Sequence, residues 1–287
     1  MMNLKLLKQL YQINSKSGNE AQITDFIVTF IQSHYPSVEV EVDSTGNIYI
    51  TKGKSDTYPV IVAHTDQVGT YKDHITIFRS EGIIIGIGED GKQVNLGADD
   101  KNGIWIALEL LRTEPVLKVV FFPGEEIGCV GSKACNMDFF NDARFVIQCD
   151  RRNGSDFIHT AGGVKLCDNS FPSAELKTKY GYKNTTGLMT DVQTLKKRGL
   201  SVACCNLSCG YYNPHTTSEY TDVGELINCL HFVREIVQTV GHTPHEYKPY
   251  TSTYPINTEY QSQLSFDWED SLEDDYYNWY ERYYKRY

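Results

Sequence analysis

Five short stretches of the chain carry side chains that bind divalent metals: His64-Thr65-Asp66, Asp99-Asp100-Lys101, Glu125-Glu126, Asp150 and His215. As ligands they offer two imidazoles and three carboxylates (Asp99, Asp150 and one of the paired glutamates), with the other glutamate to spare. That set suits two adjacent divalent ions and a general base, which is equipment for hydrolysis rather than for binding alone.

His64 follows the apolar run Pro59-Val-Ile-Val-Ala63, and one of its ring nitrogens would ligate a first-row ion. Asp66 would accept a hydrogen bond from the other nitrogen and orient the ring. An isolated His-x-Asp is ordinarily a surface or core pair. Its place directly after a strand, ahead of the later motifs, favours a ligand. Asp99 would bridge the ions, one oxygen to each, at the roughly 3.5–4 Å separation of two-metal hydrolases. Asp99 or Asp100 also suits the cap of the helix that follows, and both roles fit if Asp99 ligates while Asp100 serves the backbone. Adjacent side chains of an extended segment point apart, so Glu126 is the expected ligand and Glu125 the general base. Asp150, after Phe145-Val-Ile-Gln-Cys149, becomes the terminal carboxylate; the alternative is a strand-end turn residue. His215 lies in CGYYNPHTTSEYTD, too rich in Gly, Pro and Asn for regular structure, and chemistry alone says least about it. His159 is the reserve ligand. His231 reads as a core or surface histidine. Tyr211 and Tyr212 could serve an oxyanion, but the preferred reading is exposed loop tyrosines.

The elements that must position these groups alternate. Residues 3–13 and 20–34 carry apolar positions at helical spacing, and Ser17-Gly-Asn-Glu20 resembles a capping box. VEVEVD and NIYITKG alternate with period two around Ser44-Thr-Gly46, which predicts a hairpin, and residues 75–88 predict another. Residues 59–63, 117–122, 145–149 and 201–207 read as buried strands, and residues 100–112 and 221–240 as helices. Strand–helix alternation of this kind predicts an α/β fold: a three-layer αβα sandwich with a central, mostly parallel mixed sheet. Each candidate ligand falls at the carboxyl end of a strand or just after it, where sites form in open α/β sheets. A catalytic domain is expected over residues 1–245. Residues 246–287, rich in tyrosine and acid, read as a peripheral or partly disordered tail.

Composition bounds the partners. The 287 residues have a net charge of −10 and 40% apolar content, which supports a folded core and argues against nucleic acid and anionic membrane as partners. No run approaches the ~18 apolar residues of a membrane span, and polar residues interrupt the N-terminal leucines, unlike a signal peptide. The eight cysteines include no Cys-x-x-Cys pair, so they are expected to be reduced, buried thiols in a cytoplasmic setting. Gly86-Ile-Gly88-Glu-Asp-Gly91 matches G-x-G-x-x-G, but KQVNLGADD follows instead of a helix. It therefore reads as a turn and not as a dinucleotide site.

VIVAHTD, LGADDKNG, FPGEEIGCVGS, the strand ending at Asp150 and NPHTTSE, taken in order, resemble the co-catalytic two-metal exopeptidases. That clan includes peptidase T, the carboxypeptidase G type, the tetrahedral glutamyl-type aminopeptidases and the small secreted zinc aminopeptidases. The likeness spans roughly residues 1–240, and SKSGNE and DSTGNIYITKG resemble the clan's opening. It implies one ion on His64, Asp99 and Asp150 and the other on Asp99, Glu126 and His215. It also implies Glu125 as base, Asp66 orienting His64, and a cis Asp99–Asp100 peptide. The implied cofactors are two divalent metal ions per chain, zinc first, with manganese or cobalt also compatible. Larger relatives carry a lid or dimerisation domain. Here only a hairpin separates His64 from Asp99, and the stretch from Asp150 to His215 is short, so a lidless member is expected. Most such members are aminopeptidases acting on small peptides. The alternatives are an N-acyl amino acid deacylase or amidase on the same site, a one-metal cyclase, which the full bridging set disfavours, and a non-catalytic metal-binding scaffold, against which Glu125 argues. Oligomeric state is left open.

Overall fold

The computed structural model describes residues 2–69 and 75–247. The tail beyond Tyr247, together with His74, lies outside the described residues. The first half of the chain forms α1 (Leu4–Tyr11), α2 (Ala21–His34), β1 (Glu39–Val42), β2 (Ile48–Lys52), β3 (Tyr58–His64), β4 (Ile75–Ser80), β5 (Ile83–Gly88), β6 (Gln93–Val94), α3 (Ala98–Thr113) and β7 (Leu117–Phe122). The second half forms α4 (Val130–Ala134), β8 (Ala143–Arg151), β9 (Asp156–Ala161), β10 (Val164–Lys165), α5 (Ala174–Lys179), β11 (Lys183–Gly187), α6 (Asp191–Lys197), β12 (Cys204–Ser208), β13 (Tyr211–Tyr212), β14 (Tyr220–Asp222) and α7 (Val223–Thr239).

The main sheet runs β1-β2-β7-β3-β8-β12-β9-β10, with β11 against β9. Its middle, β7-β3-β8-β12, is parallel, and antiparallel pairs flank it. Every residue of β3 and β7 is buried, as parallel strands covered on both faces require. Successive side chains go to opposite faces. Ile61, Ala63, Val119 and Phe121 pack into one core with Trp105, Leu108 and Phe232 of α3 and α7, while Val60, Val62, Val120 and Phe122 pack into a second core with Val192 and Leu195 of α6. The sheet is therefore the middle of three layers, as the alternation predicts. Trp105 is fully buried and donates from Nε1 to the Asn3 carbonyl (3.0 Å), tying α1 to α3.

Local chemistry sets several ends. Asp43 Oδ1 accepts the amides of Thr45, Gly46 and Asn47, closing the β1–β2 turn; Gly46 takes φ +99° there, a conformation glycine tolerates. The expected capping box does not form. Glu20 caps α2 without a side-chain bond, and the Ser17 hydroxyl donates instead to Asp66 Oδ2 at 2.7 Å. A closer partner charge wins over the local backbone. The hairpin predicted over 75–88 forms but is not alone: β13 and β14, which flank His215, extend it into a second sheet of order β13-β14-β5-β4, with β6 on β5. The G-x-G-x-x-G segment is the β5–β6 turn, with Gly91 donating to the Gly88 carbonyl. All eight cysteines are buried and free. The chain still pairs at its described end, where Val202 bridges Glu246 and Tyr247 donates to the Ser201 carbonyl. Among the described residues no helix is long and apolar enough to cross a membrane.

Candidate metal centre

The parallel strands β3, β7 and β8 end side by side, with His64 paired to Phe122 across β3 and β7. Their ends bring together what lies far apart in sequence. His64 is the last residue of β3; Glu125 and Glu126 follow β7 after Pro123-Gly124; Asp150 is the penultimate residue of β8. Asp99 sits at the irregular start of α3, where Asp99 and Asp100 leave helical dihedrals and the peptide between them is cis. The helix becomes regular only after them. Asp100 then acts as its cap, accepting from Gly103 N (3.0 Å) and also from His64 N (3.3 Å). His215 reaches in from the β13–β14 loop with φ +64°.

Three groups of side chains, each with ligand atoms within 4.8 Å of one another, form here: His64 with Asp99 and Asp150, Asp99 with Glu126 and His215, and His64 with Glu125 and Glu126. Asp99 lies between two imidazoles. Its Oδ1 is 3.1 Å from His64 Nε2 and its Oδ2 is 3.3 Å from His215 Nε2. Asp150 Oδ1 is 3.5 Å from His64 Nε2, and Glu126 Oε1 is 2.6 Å from His215 Nε2. His64 Nδ1 lies 3.0 Å from the Asp66 carbonyl oxygen, which only accepts, so Nδ1 donates there and Nε2 is the nitrogen turned towards Asp99 and Asp150, where a cation would be held. His159, on β9, belongs to none of these groups.

The supporting contacts were less visible in the sequence. Asp66 is buried; Oδ1 accepts from Glu125 N (2.9 Å) and Oδ2 from Glu126 N (3.2 Å) and Ser17 Oγ, while Oδ1 also lies 3.3 Å from His64 Nδ1. One carboxylate thus fixes the imidazole and both glutamates. Asp150 is held by Gln148 Nε2, by paired bonds between its backbone and the Asn206 amide, and by the Tyr211 hydroxyl at 3.3 Å. The exposed-loop reading of Tyr211 is therefore wrong: the residue is buried, because its hydroxyl has a carboxylate to reach. Tyr212 is half-buried, stacks on Tyr220 and donates to Glu225. Glu219, the last residue of the NPHTTSE motif, to which the sequence alone assigns no role, is fully buried and accepts from Leu96 N (2.9 Å), Ala98 N (3.2 Å) and Asp99 N (3.2 Å).

Charge is badly balanced in this space. Burial first, and the Asp99 charge second, push Asp150 up to about 8. Burial and Asp99 likewise raise Glu126. Burial raises Glu125, with Asp150 and Glu126 adding to the effect and His64 opposing it. Burial works against charge on the histidines, yet Asp99 and Glu126 hold His215 up to about 12, and Asp150, Asp66 and Asp99 raise His64. Asp99 itself stays low despite burial, because two imidazoles face it. Carboxylates outnumber imidazoles here, and burial favours the neutral form of Asp150, Glu125 and Glu126. Divalent ions would balance their charge, and the oxygen and imidazole donors suit zinc, manganese or cobalt. Ion binding should therefore stabilise the fold. At a free metal concentration 100-fold above Kd the gain is about 2.7 kcal/mol, so chelation should lower the melting temperature by roughly 5–10 °C in a domain of this size. Thermal melts with and without EDTA check this, and coincident melts would speak against a loaded site.

No family model matches the chain. A curated Escherichia coli K12 relative named as an aminopeptidase, FrvX, is 32% identical over 75 residues, which is 26% of this chain and 20% of that protein. The match thus spans about a fifth of that relative's length. Solved structures extend the likeness. The aminopeptidase PepT from Bacillus cereus superposes with a TM-score of 0.63 at 18% identity, over 82% of this chain and 97% of that one. A Staphylococcus aureus tripeptidase gives a TM-score of 0.66 at 16% identity over 83% and 97%. The Pyrococcus horikoshii TET1 peptidase, which can assemble into a tetrahedron or a large octahedral shell, gives 0.56 at 14% identity over 82% and 98%. The chain has the α/β fold of these solved peptidases. Among the described residues it carries no lid domain, as the short spacings between its motifs predict.

Proposed function

We propose that this protein is a metal-dependent aminopeptidase that removes N-terminal residues from small peptides. The observation that carries the reading is the Asp99 carboxylate, one oxygen facing His64 and the other His215, with Asp150 and Glu126 completing a set on either side. In this reading His64, Asp99 and Asp150 hold one ion, and Asp99, Glu126 and His215 the other. The peptidase names of the FrvX, PepT and tripeptidase relatives support the same class.

The two ions would supply Lewis acidity towards an attacking water and a scissile carbonyl. The protein's own groups do the rest. Among the described residues the Glu125 carboxylate has no hydrogen-bond partner, while its backbone N–H is fixed by Asp66. Its oxygens are thus available to take a proton from water and deliver it to the leaving amine. Burial raises its affinity for protons above that of an ordinary glutamate, the direction a general base needs. Asp66 keeps the proton on His64 Nδ1, and Tyr211 steadies Asp150.

A panel of dipeptides with free amines, matched to the same dipeptides N-acylated, tests the assignment on metal-loaded protein. The free-amine set should be cleaved, and the N-acyl set should be cleaved at least about 10⁴-fold more slowly, the scale on which a site built to hydrogen-bond a substrate polar group rejects an analogue that lacks it. The reverse preference would make it a deacylase. Cleavage of neither would leave a metal-binding scaffold.

A further inference from the structure

The two halves of the metal set are delivered by separate parts of the chain, and one residue ties those parts together. Glu219 lies four residues after His215. Its carboxylate accepts the backbone amides of Leu96, Ala98 and Asp99, at 2.9, 3.2 and 3.2 Å. The tie is reinforced on both sides: Gln93 Nε2 donates to the Glu219 carbonyl (3.0 Å) and Asn95 Nδ2 to the Thr216 carbonyl (3.3 Å). Residues 95–97 and 215–219 belong to no helix or strand. The neighbouring strands β14 and β6 both pair with β5, and within that frame the fine placement of the two loops is set by these cross-links. Segment 95–99 presents Asp99, which faces both imidazoles, and segment 215–219 presents His215.

Resting on the two-ion reading above, we infer that Glu219 is a positioning residue that couples the two ion subsites, so that they fill together. Filling the side made by Asp99, Glu126 and His215 orders the His215 loop. That loop, through Glu219, fixes the backbone of Asp99, whose other oxygen faces His64. The second ion then meets a ligand already in place and does not bear the cost of ordering it. Two dications sharing one carboxylate repel, so a site without this link would fill in two separated steps. The coupling is reciprocal, as any linkage between binding sites must be.

Glu219→Gln tests this with little change of volume. Gln has one acceptor oxygen where Glu has two, so either Asp99 N or the Leu96 and Ala98 pair must face an NH2 group. The readout is stepwise metal binding, by titrating the metal-free full chain with Zn2+ in a calorimeter and with Co2+ by its absorption. The wild type should take up two ions in one unresolved step. The variant should bind the first ion nearly as before and the second about 10–100-fold more weakly, the range seen when support to a ligand is lost. A merely structural role would lower both affinities together or neither, and either result would overturn the coupling. If Glu219→Gln does not fold, the wild-type titration decides: one cooperative step with a Hill coefficient above unity upholds the inference, and two separated steps or a non-cooperative single step overturn it. Failure to bind any ion would overturn the two-ion reading as well, so the two failures are distinguishable.

Discussion

Glu125→Gln should lower kcat by about 10²–10⁴-fold, the contribution of a well-placed general base, while the protein still holds two ions. The substitution keeps the size of the side chain and removes its ability to accept a proton. Glu125 is 8% exposed, and its backbone N–H, not its carboxylate, is what Asp66 holds; the frame that presents Glu126 should survive. The carboxylate also stands among Asp150, Glu126 and Asp191, all of which disfavour its charge, so the neutral amide should if anything relieve strain in the metal-free protein. The measurement is kcat alongside metal content on one sample. Activity within a few-fold of wild type would remove Glu125 from the mechanism. Loss of metal together with activity would make it a ligand instead.

Asp99→Asn should be more damaging, because the Asp99 carboxylate lies within 3.3 Å of both imidazoles, one oxygen to each. The amide retains a single acceptor oxygen and no charge, so affinity should fall at both subsites by more than the ~10–100-fold expected for losing a supporting contact. Hydrolysis at micromolar metal should fall to background. Asp150→Asn is the contrasting case: Asp150 lies beside His64 alone, so one ion should be retained. Equilibrium dialysis against graded Zn2+ with both variants separates the two results. Equal stoichiometry in Asp99→Asn and wild type would show that Asp99 does not bridge.

Much of this arrangement was legible in the sequence, for physical reasons that also explain what was not. β3, β7 and β8 are buried on both faces, so their apolar runs are nearly unbroken, and the polar residue that ends each run stands out. That is how His64, Glu125 and Asp150 could be read as strand-end groups. α3 betrayed itself by helical spacing after Asp100. The layers followed from strand–helix alternation. β11 (Lys183–Gly187) gives no such signal, since it is polar and largely exposed and carries no apolar signature. The supporting residues were illegible for a different reason. Ser17 imitates a helix cap, yet its partner Asp66 lies 49 positions away, and Glu219 meets Leu96 across 123 positions. Spacing rules see only neighbours in sequence, while these bonds exist because the fold has brought the segments together. Tyr211 was misjudged in the same way: a tyrosine in a Gly-rich loop looks exposed until a buried carboxylate is known to lie 3.3 Å from its hydroxyl.

The measurement that bears most directly on the central claim is the number of divalent ions held per chain, determined by elemental analysis after loading the purified 287-residue chain with Zn2+ and dialysing away the excess. Two ions per wild-type chain, falling to one in Asp150→Asn and to none in Asp99→Asn, is the expected result. A wild-type chain that retains no ion after loading would contradict it.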